Sequence, residues 1–314
     1  MPSFNVVNYS LRPNKSIQRK LVFDGVKKIK DRVNLGNMVY IGLGSIWFTD
    51  FSIAHKELGI RNMISMEESD IGYSRSRFNR PFKTVEVKNG ISSEILPELL
   101  DENRLTKSPW MVWLDYDSQL NEGIISDLQL LVERLPQSSI LLTTFNAVPS
   151  KYGKPNQRVE NLKNMLGSVV PDDLDKSDCD GDRLLQTLGE LVTDYLKSAA
   201  IQVSRPGGFH PAFRIPYRDG AGMVTVGGVL PAKDKASGLR TLLMNHDWQG
   251  FADSVICAPL LTLREAAVLQ SELPRRKRLS RTSIRRLGFD LEDHQIRAFE
   301  KYYMYYPSYA EVMV

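Results

Sequence analysis

The sequence predicts a doubly wound α/β fold with a mostly parallel sheet, and three observations carry that expectation. Five short apolar runs, Met38 to Leu43, Arg61 to Met66, Lys83 to Val87, Trp110 to Asp115 and Ser139 to Phe145, are each bounded by turn-forming residues. Between successive runs there is room for one helix, the spacing of parallel strands joined by right-handed crossovers. The chain has 314 residues, 42% of them hydrophobic and 25% charged, enough apolar material for a large core. A mini-protein and a globally disordered chain are excluded.

The elements follow in order. Asn14 to Val33 sets Ile17, Leu21, Val22, Val26, Ile29 and Val33 at helical spacing, so a first helix precedes the first strand. Between the fourth and fifth strands, Ile124, Leu128, Leu131 and Leu135 make one apolar stripe over Glu122 to Leu135. Beyond Ala147 the alternation stops: Lys151 to Asp182 reads as a polar loop, and Arg183 to Ala200 as a helix through Leu184, Leu188, Leu191 and Leu196. Phe213 to Leu230 reads as two strands turning at Arg218-Asp219-Gly220, a hairpin suited to closing the sheet. Thr262 to Leu273 is a further helix, followed by a basic run and by a tyrosine-rich tail, Tyr302 to Tyr309, whose rings are expected to pack on the body. The chain divides into an N-terminal helical extension (1–34), a main domain (35–230) and a basic, tyrosine-rich C-terminal addition (231–314).

Charge is unevenly placed. The net charge is +4, yet Arg275 to Arg286 alone holds seven basic residues and no acidic one. Any electrostatic partner is therefore expected at that segment. Pro171 to Asp182 holds six aspartates, but Lys176 and Thr187 fall where a calcium loop needs carboxylates, so a solvated loop is expected. No apolar stretch approaches the length of a membrane helix, and Arg12-Pro13 stands where a signal peptide has its apolar block. Two cysteines, Cys179 and Cys257, are too few for a disulfide framework. A cytoplasmic protein is expected.

Three strand ends carry the chemistry. Tyr40-Ile41-Gly42-Leu43-Gly44-Ser45 leads from the first strand toward a helix that Asp50 can cap; glycines there allow a sharp turn and close approach of a nucleoside. A third glycine of the dinucleotide fingerprint is absent. Met63-Ile64-Ser65-Met66-Glu67-Glu68 ends the second strand in acids, with Glu67 at the distance from Gly44 suited to ribose hydroxyls and Glu68 directed to the other face. The fourth strand ends in Asp115-Tyr116-Asp117, where both acids can face the crevice and orient a nucleophile, hold an amino group or bind a divalent cation. Asn146, after the fifth strand, offers one more oxygen. Of the histidines, His55 is expected to be packed or on the surface, and His210, beside Gly207-Gly208, is a candidate for the mouth of the site.

This order of glycine loop, strand-end acid, acidic fourth strand and late hairpin resembles the Rossmann-like class I S-adenosylmethionine-dependent methyltransferases, and in particular bacterial proteins described as O-methyltransferases. The resemblance covers roughly Asn8 to Leu230 and implies a seven-stranded sheet with reversed final strands. It also implies S-adenosylmethionine as cofactor, with Gly42, Gly44, Ser45 and Asp50 in the cofactor loop, Glu67 on the ribose, and Asp115 beside the cofactor or, with Asp117, serving catalysis. The Asn/Asp-Pro-Pro-aromatic signature of amino-methylating nucleic-acid enzymes is absent, so oxygen is the expected acceptor ahead of nitrogen. Phe145 stands where metal-dependent relatives carry a second acid, which leaves a divalent metal undecided. The alternative is a methyltransferase-shaped binding or regulatory subunit of a bacterial multi-protein system that has lost transfer activity.

Asn8 to Lys15 can fold over the pocket. Arg75, Arg77 and Arg80, together with Arg275, Arg276, Lys277, Arg278, Arg281, Arg285 and Arg286, can neutralise phosphates of a nucleic acid or meet an acidic partner protein.

Overall fold

Residues 12–308 are described by a computed structural model of the chain. The apolar runs become β1 (Val39–Gly42), β2 (Asn62–Glu67), β3 (Val85–Asn89), β4 (Trp110–Gln119) and β5 (Ser139–Asn146), all parallel; the hairpin becomes β6 (His210–Asp219) and β7 (Ala221–Leu230). The seven strands lie in the order β3-β2-β1-β4-β5-β7-β6, with β7 antiparallel to both neighbours. This is the expected methyltransferase-like sheet. Because β6 runs parallel to β5, the tip of the hairpin, Asp219, lies at the same edge as the carboxyl ends of β1, β2 and β4.

Twelve helices surround the sheet among the described residues: α1 (Pro13–Val33), α2 (Thr49–Leu58), α3 (Asp70–Phe78), α4 (Ser92–Asp101), α5 (Asn103–Thr106), α6 (Glu122–Arg134), α7 (Arg158–Leu166), α8 (Gly181–Gln202), α9 (Ala236–Leu243), α10 (Leu263–Ser271), α11 (Arg281–Arg286) and α12 (Asp293–Tyr302). Strand alternation splits the core in two. Met111 and Trp113 of β4 join a cluster with Ile17, Val22 and Phe23 of α1 and Phe51 of α2, which continues through Leu269, Ile284, Phe299 and Tyr306 of the C-terminal addition. Trp110, Val112 and Leu114 point the other way, into a cluster covered by α4, α6 and α8. The N-terminal helix and the C-terminal addition thus share one apolar core with the sheet. Tyr306 packs as expected of the tail, its hydroxyl donating to Pro259 O at 2.8 Å and accepting from Leu261 N at 3.1 Å. Tyr309 lies outside the described residues.

Lys151 to Asp182 departs from the expected loop, because it contains α7 and two short 3-10 turns. Leu162 and Leu166 bury one face of α7, and buried Arg158 donates to Gly153 O, Cys179 O and Asp180 Oδ1. A polar-looking stretch folds here because one arginine at the start of α7 ties together the turns at Gly153 and at Cys179-Asp180.

No described helix is long and apolar enough to cross a membrane.

Candidate functional site

The site lies where the carboxyl ends of the parallel strands meet the start of α1. The first turn of α1 leaves backbone N–H groups without helical partners, and Asp219 from the hairpin supplies them: its Oδ2 accepts from Lys15 N at 2.7 Å and its Oδ1 from Asn14 N at 3.2 Å. Asn14 completes the clamp, donating to Arg218 O at 2.8 Å and accepting from Ala258 N at 2.7 Å. A turn further along, Gln18 Nε2 donates to Thr225 Oγ1 at 2.9 Å, and Thr225 in turn bonds Thr144, which accepts from Trp113 Nε1. α1 is therefore fixed both to the sheet face and to the hairpin tip.

So held, α1 delivers two cations to the predicted acids. Lys15 Nζ contacts both oxygens of Asp115, at 2.7 and 2.6 Å, and sits 5.4 Å from the ring centroids of Trp113 and Tyr217. Arg19 Nε lies 2.5 Å from Asp50 Oδ1. Burial weakens the Arg19 charge, but Asp50 and Asp115 outweigh it and the guanidinium pKa is raised. Two buried cations and two half-buried carboxylates make a balanced quartet, as low-dielectric surroundings require.

Asp50 does not cap its helix. Phe48 occupies the N-cap position of α2, and Asp50, in the first turn, is drawn to Arg19 instead. Nor do the two glycines make the sharp turn: the left-handed residues of the loop are Ser45 and Phe48, both at φ 48°. Gly44 is needed because a Cβ there would stand 2.5 Å from Ser65 Oγ and 2.8 Å from Phe51, while Gly42 faces Trp113 O. Strained non-glycine backbone between β1 and α2 is a hallmark of a shaped loop.

Glu67 ends β2 half-buried, its Oε1 accepting only a long 3.4 Å bond from Ser69 N among the described residues. Burial, the largest influence, together with Glu68, raises its pKa against the opposing Ser69 bond. Gly72 on α3 leaves the space its carboxylate fills, since a Cβ at that position would collide with it. Glu68 is exposed. A strand-end carboxylate with unused acceptor capacity beside a bent loop fits the ribose and nucleoside of S-adenosylmethionine.

Past Asp115, β4 continues through a register shift to Gln119. Tyr116 turns to the opposite face and donates to buried Asp127 at 2.6 Å, and Asp117 beyond it is exposed. Asn146 Oδ1 accepts from Val148 N at 2.9 Å, so that oxygen serves the turn. His55 is packed, with its ring against Phe82 and Nδ1 2.8 Å from Ile60 O. His210 is not at the mouth of the site: it begins β6, whose other end carries Asp219, roughly 30 Å away at about 3.3 Å per residue. Among the described residues no group of three or more His, Cys, Asp or Glu side chains is arranged to hold a metal ion.

The quartet's cations were the part sequence reasoning missed. The sequence marks Lys15 only as part of a segment able to fold over the pocket, of which residues 8–11 lie outside the described residues, and gives Arg19 no role. The available signal was the presence of Asn14, Lys15, Gln18 and Arg19 on the otherwise apolar face of α1, where they are buried.

A family model described as "Putative O-methyltransferase" matches residues 7–314. The chain belongs to this family. It is thus an S-adenosylmethionine-dependent methyltransferase-like protein. Among solved structures, this family member is similar to Trm1 from Pyrococcus horikoshii in complex with S-adenosyl-L-methionine, at 14% identity and a TM-score of 0.42, over 70% of this chain and 57% of that one. It is also similar to a protein from Listeria monocytogenes described as a "putative S-adenosylmethionine dependent methyltransferase", at 13% identity and a TM-score of 0.39, over 65% and 96% of the two chains. No curated protein matches the sequence.

Proposed function

We propose that this protein transfers a methyl group from S-adenosylmethionine to an oxygen of its acceptor. The observation that carries the oxygen reading is the buried ammonium of Lys15, fixed on Asp115 of β4. An oxygen acceptor gains negative charge as it loses its proton, and a preplaced cation stabilises that charge, whereas it repels a protonated amine.

S-adenosylmethionine, when bound, supplies an electrophilic methyl on a sulfonium. The chain's residues do the rest. Glu67 would accept hydrogen bonds from its ribose hydroxyls, and the backbone of Gly42, Gly44 and Ser45, with Asp50 and its partner Arg19, would line its methionine portion. Asp115 orients Lys15 Nζ toward the acceptor oxygen, and the Asp117 carboxylate takes the acceptor's proton. Trp113 and Tyr217, stacked about Lys15, keep water from it. Transfer of this kind gains most from alignment of its two partners. A cytoplasmic setting, which the two free thiols Cys179 and Cys257 suit, belongs to the same proposal.

A second reading, the binding or regulatory subunit, is favoured by one observation: Asp50 and Asp115 are already engaged by cations of the chain itself. Calorimetry with S-adenosylhomocysteine separates the two. The enzyme reading expects binding that weakens about tenfold or more in Glu67→Ala, the loss of hydrogen bonds to a charged group. Absence of binding by the wild-type chain overturns it in favour of the subunit.

A further inference from the structure

The basic run divides in the folded chain. Arg281 and Arg285 are both held by Asp290, and Arg275 by Glu272. Arg278 instead lines a cavity of about 850 Å³ between the hairpin tip, the start of α8 and α12. Arg218 of β6 and Arg297 and Lys301 of α12 line it with Arg278, and the α12 pair is four residues apart on one helix face. Against these four cations stand two carboxylates. Asp182 pairs with Arg218, and Glu300 accepts from Leu279 N at 3.1 Å. Lys301 is paired outward, with exposed Asp253. Arg278 and Arg297 have no carboxylate partner among the described residues.

The cavity adjoins the candidate site. Arg218 immediately precedes Asp219, which clamps the start of α1, and the wall residue Cys257 immediately precedes Ala258, which bonds Asn14. The arginines around Phe78 do not belong to it, since Arg80 bonds Val85 O at the β3 edge and β6 forms the opposite edge.

We propose that this cavity is a phosphate-binding site that anchors a phosphate-bearing acceptor, with Arg278 and Arg297 as the principal contacts. Guanidinium groups suit it because their paired donors match phosphate oxygens. The acceptor role rests on the methyl-transfer reading; the phosphate site does not.

The test compares the full-length wild-type chain with Arg278→Gln/Arg297→Gln, neither residue being among those assigned to the cofactor. Two probes are used, inorganic pyrophosphate by calorimetry and a short fluorescent single-stranded oligonucleotide across a salt series. At least one probe should bind, and the double variant should bind it about tenfold or more weakly, with unchanged melting temperature and unchanged S-adenosylhomocysteine affinity. Binding of pyrophosphate alone identifies a small phosphorylated acceptor. Binding of the oligonucleotide, with a salt slope that flattens by about 1.4 in the variant for two lost contacts, identifies a polynucleotide. The proposal is overturned if neither probe binds, if the variant binds like the wild type, or if polyglutamate displaces the probe equally well. Arginine-dependent phosphate binding without S-adenosylhomocysteine binding would sink the methyl-transfer reading and leave the phosphate site standing.

Discussion

Lys15 and Asp115, one hundred positions apart in sequence, form a two-oxygen ion pair at 2.6 and 2.7 Å, with side chains only 3% and 19% exposed. The pair joins the N-terminal helix to the fourth strand and holds a buried cation on the predicted acid of that strand. Its geometry depends on Asp219, which positions the Lys15 backbone, and on Trp113 and Tyr217, which flank the side chain.

Breaking this pair from one side should cost more than removing it whole. Lys15→Met leaves Asp115 uncompensated in a poorly hydrated site, and Asp115→Asn leaves Lys15 so. Chemical denaturation of both single variants and of the double variant should give a coupling of about 0.5–3 kcal/mol. Additive effects would show that the contact contributes no stability.

Asp115 and Asp117 should separate kinetically. Asp117→Asn is expected to lower kcat with little change in cofactor affinity, the signature of an interaction made in the transition state. Asp115→Asn, by releasing Lys15, should lower kcat and also disturb acceptor binding. A chelator should leave both the wild type and Asp117→Asn unchanged, because the oxygens of Asp115 are engaged by Lys15; loss of activity restored by added magnesium would reassign Asp115 as a metal ligand.

Cofactor affinity should depend on pH through Glu67. Burial raises the pKa of this carboxyl in the free protein, and ribose hydroxyls donating to the carboxylate would lower it in the complex. Binding therefore releases protons between those two values, and affinity rises with pH across that window before levelling above it. Calorimetry in buffers of different ionisation heat measures the release, and Glu67→Gln should abolish it. A wild-type affinity that is flat from the ordinary glutamate range to neutrality would contradict the ribose assignment.

Two glycine substitutions should behave oppositely. Gly44→Ala forces a Cβ against Ser65 and Phe51 in a packed corner and should destabilise the fold by about 1–3 kcal/mol. Gly72→Ala lies within α3, where alanine is the better helix former by up to about 1 kcal/mol. Its Cβ displaces the movable Glu67 carboxylate. Stability should hold or rise while affinity for S-adenosylhomocysteine falls. Thermal melting beside calorimetry reads both, and an unchanged affinity in Gly72→Ala would remove Glu67 from the cofactor site.

The sequence by itself determined the sheet and most of its coverings, since strand and helix periodicities are local properties of the chain. β1 to β5, the hairpin at Arg218-Asp219-Gly220 and the stripe of α6 were all legible, as was the strand-end position of Glu67, whereas β4 does not end at Asp115 but runs on to Gln119. Tertiary structure decided what those acids meet. Lys15 and Arg19 reach Asp115 and Asp50 because the helix that carries them is packed on the sheet and held at its start by Asp219, remote in the sequence. The same holds for the basic run: seven charges look alike in sequence, yet Asp290 takes Arg281 and Arg285 while Arg278 faces the cavity beside Arg218. Which charges are neutralised depends on distances between segments remote in the chain, and a linear pattern carries no information about those distances.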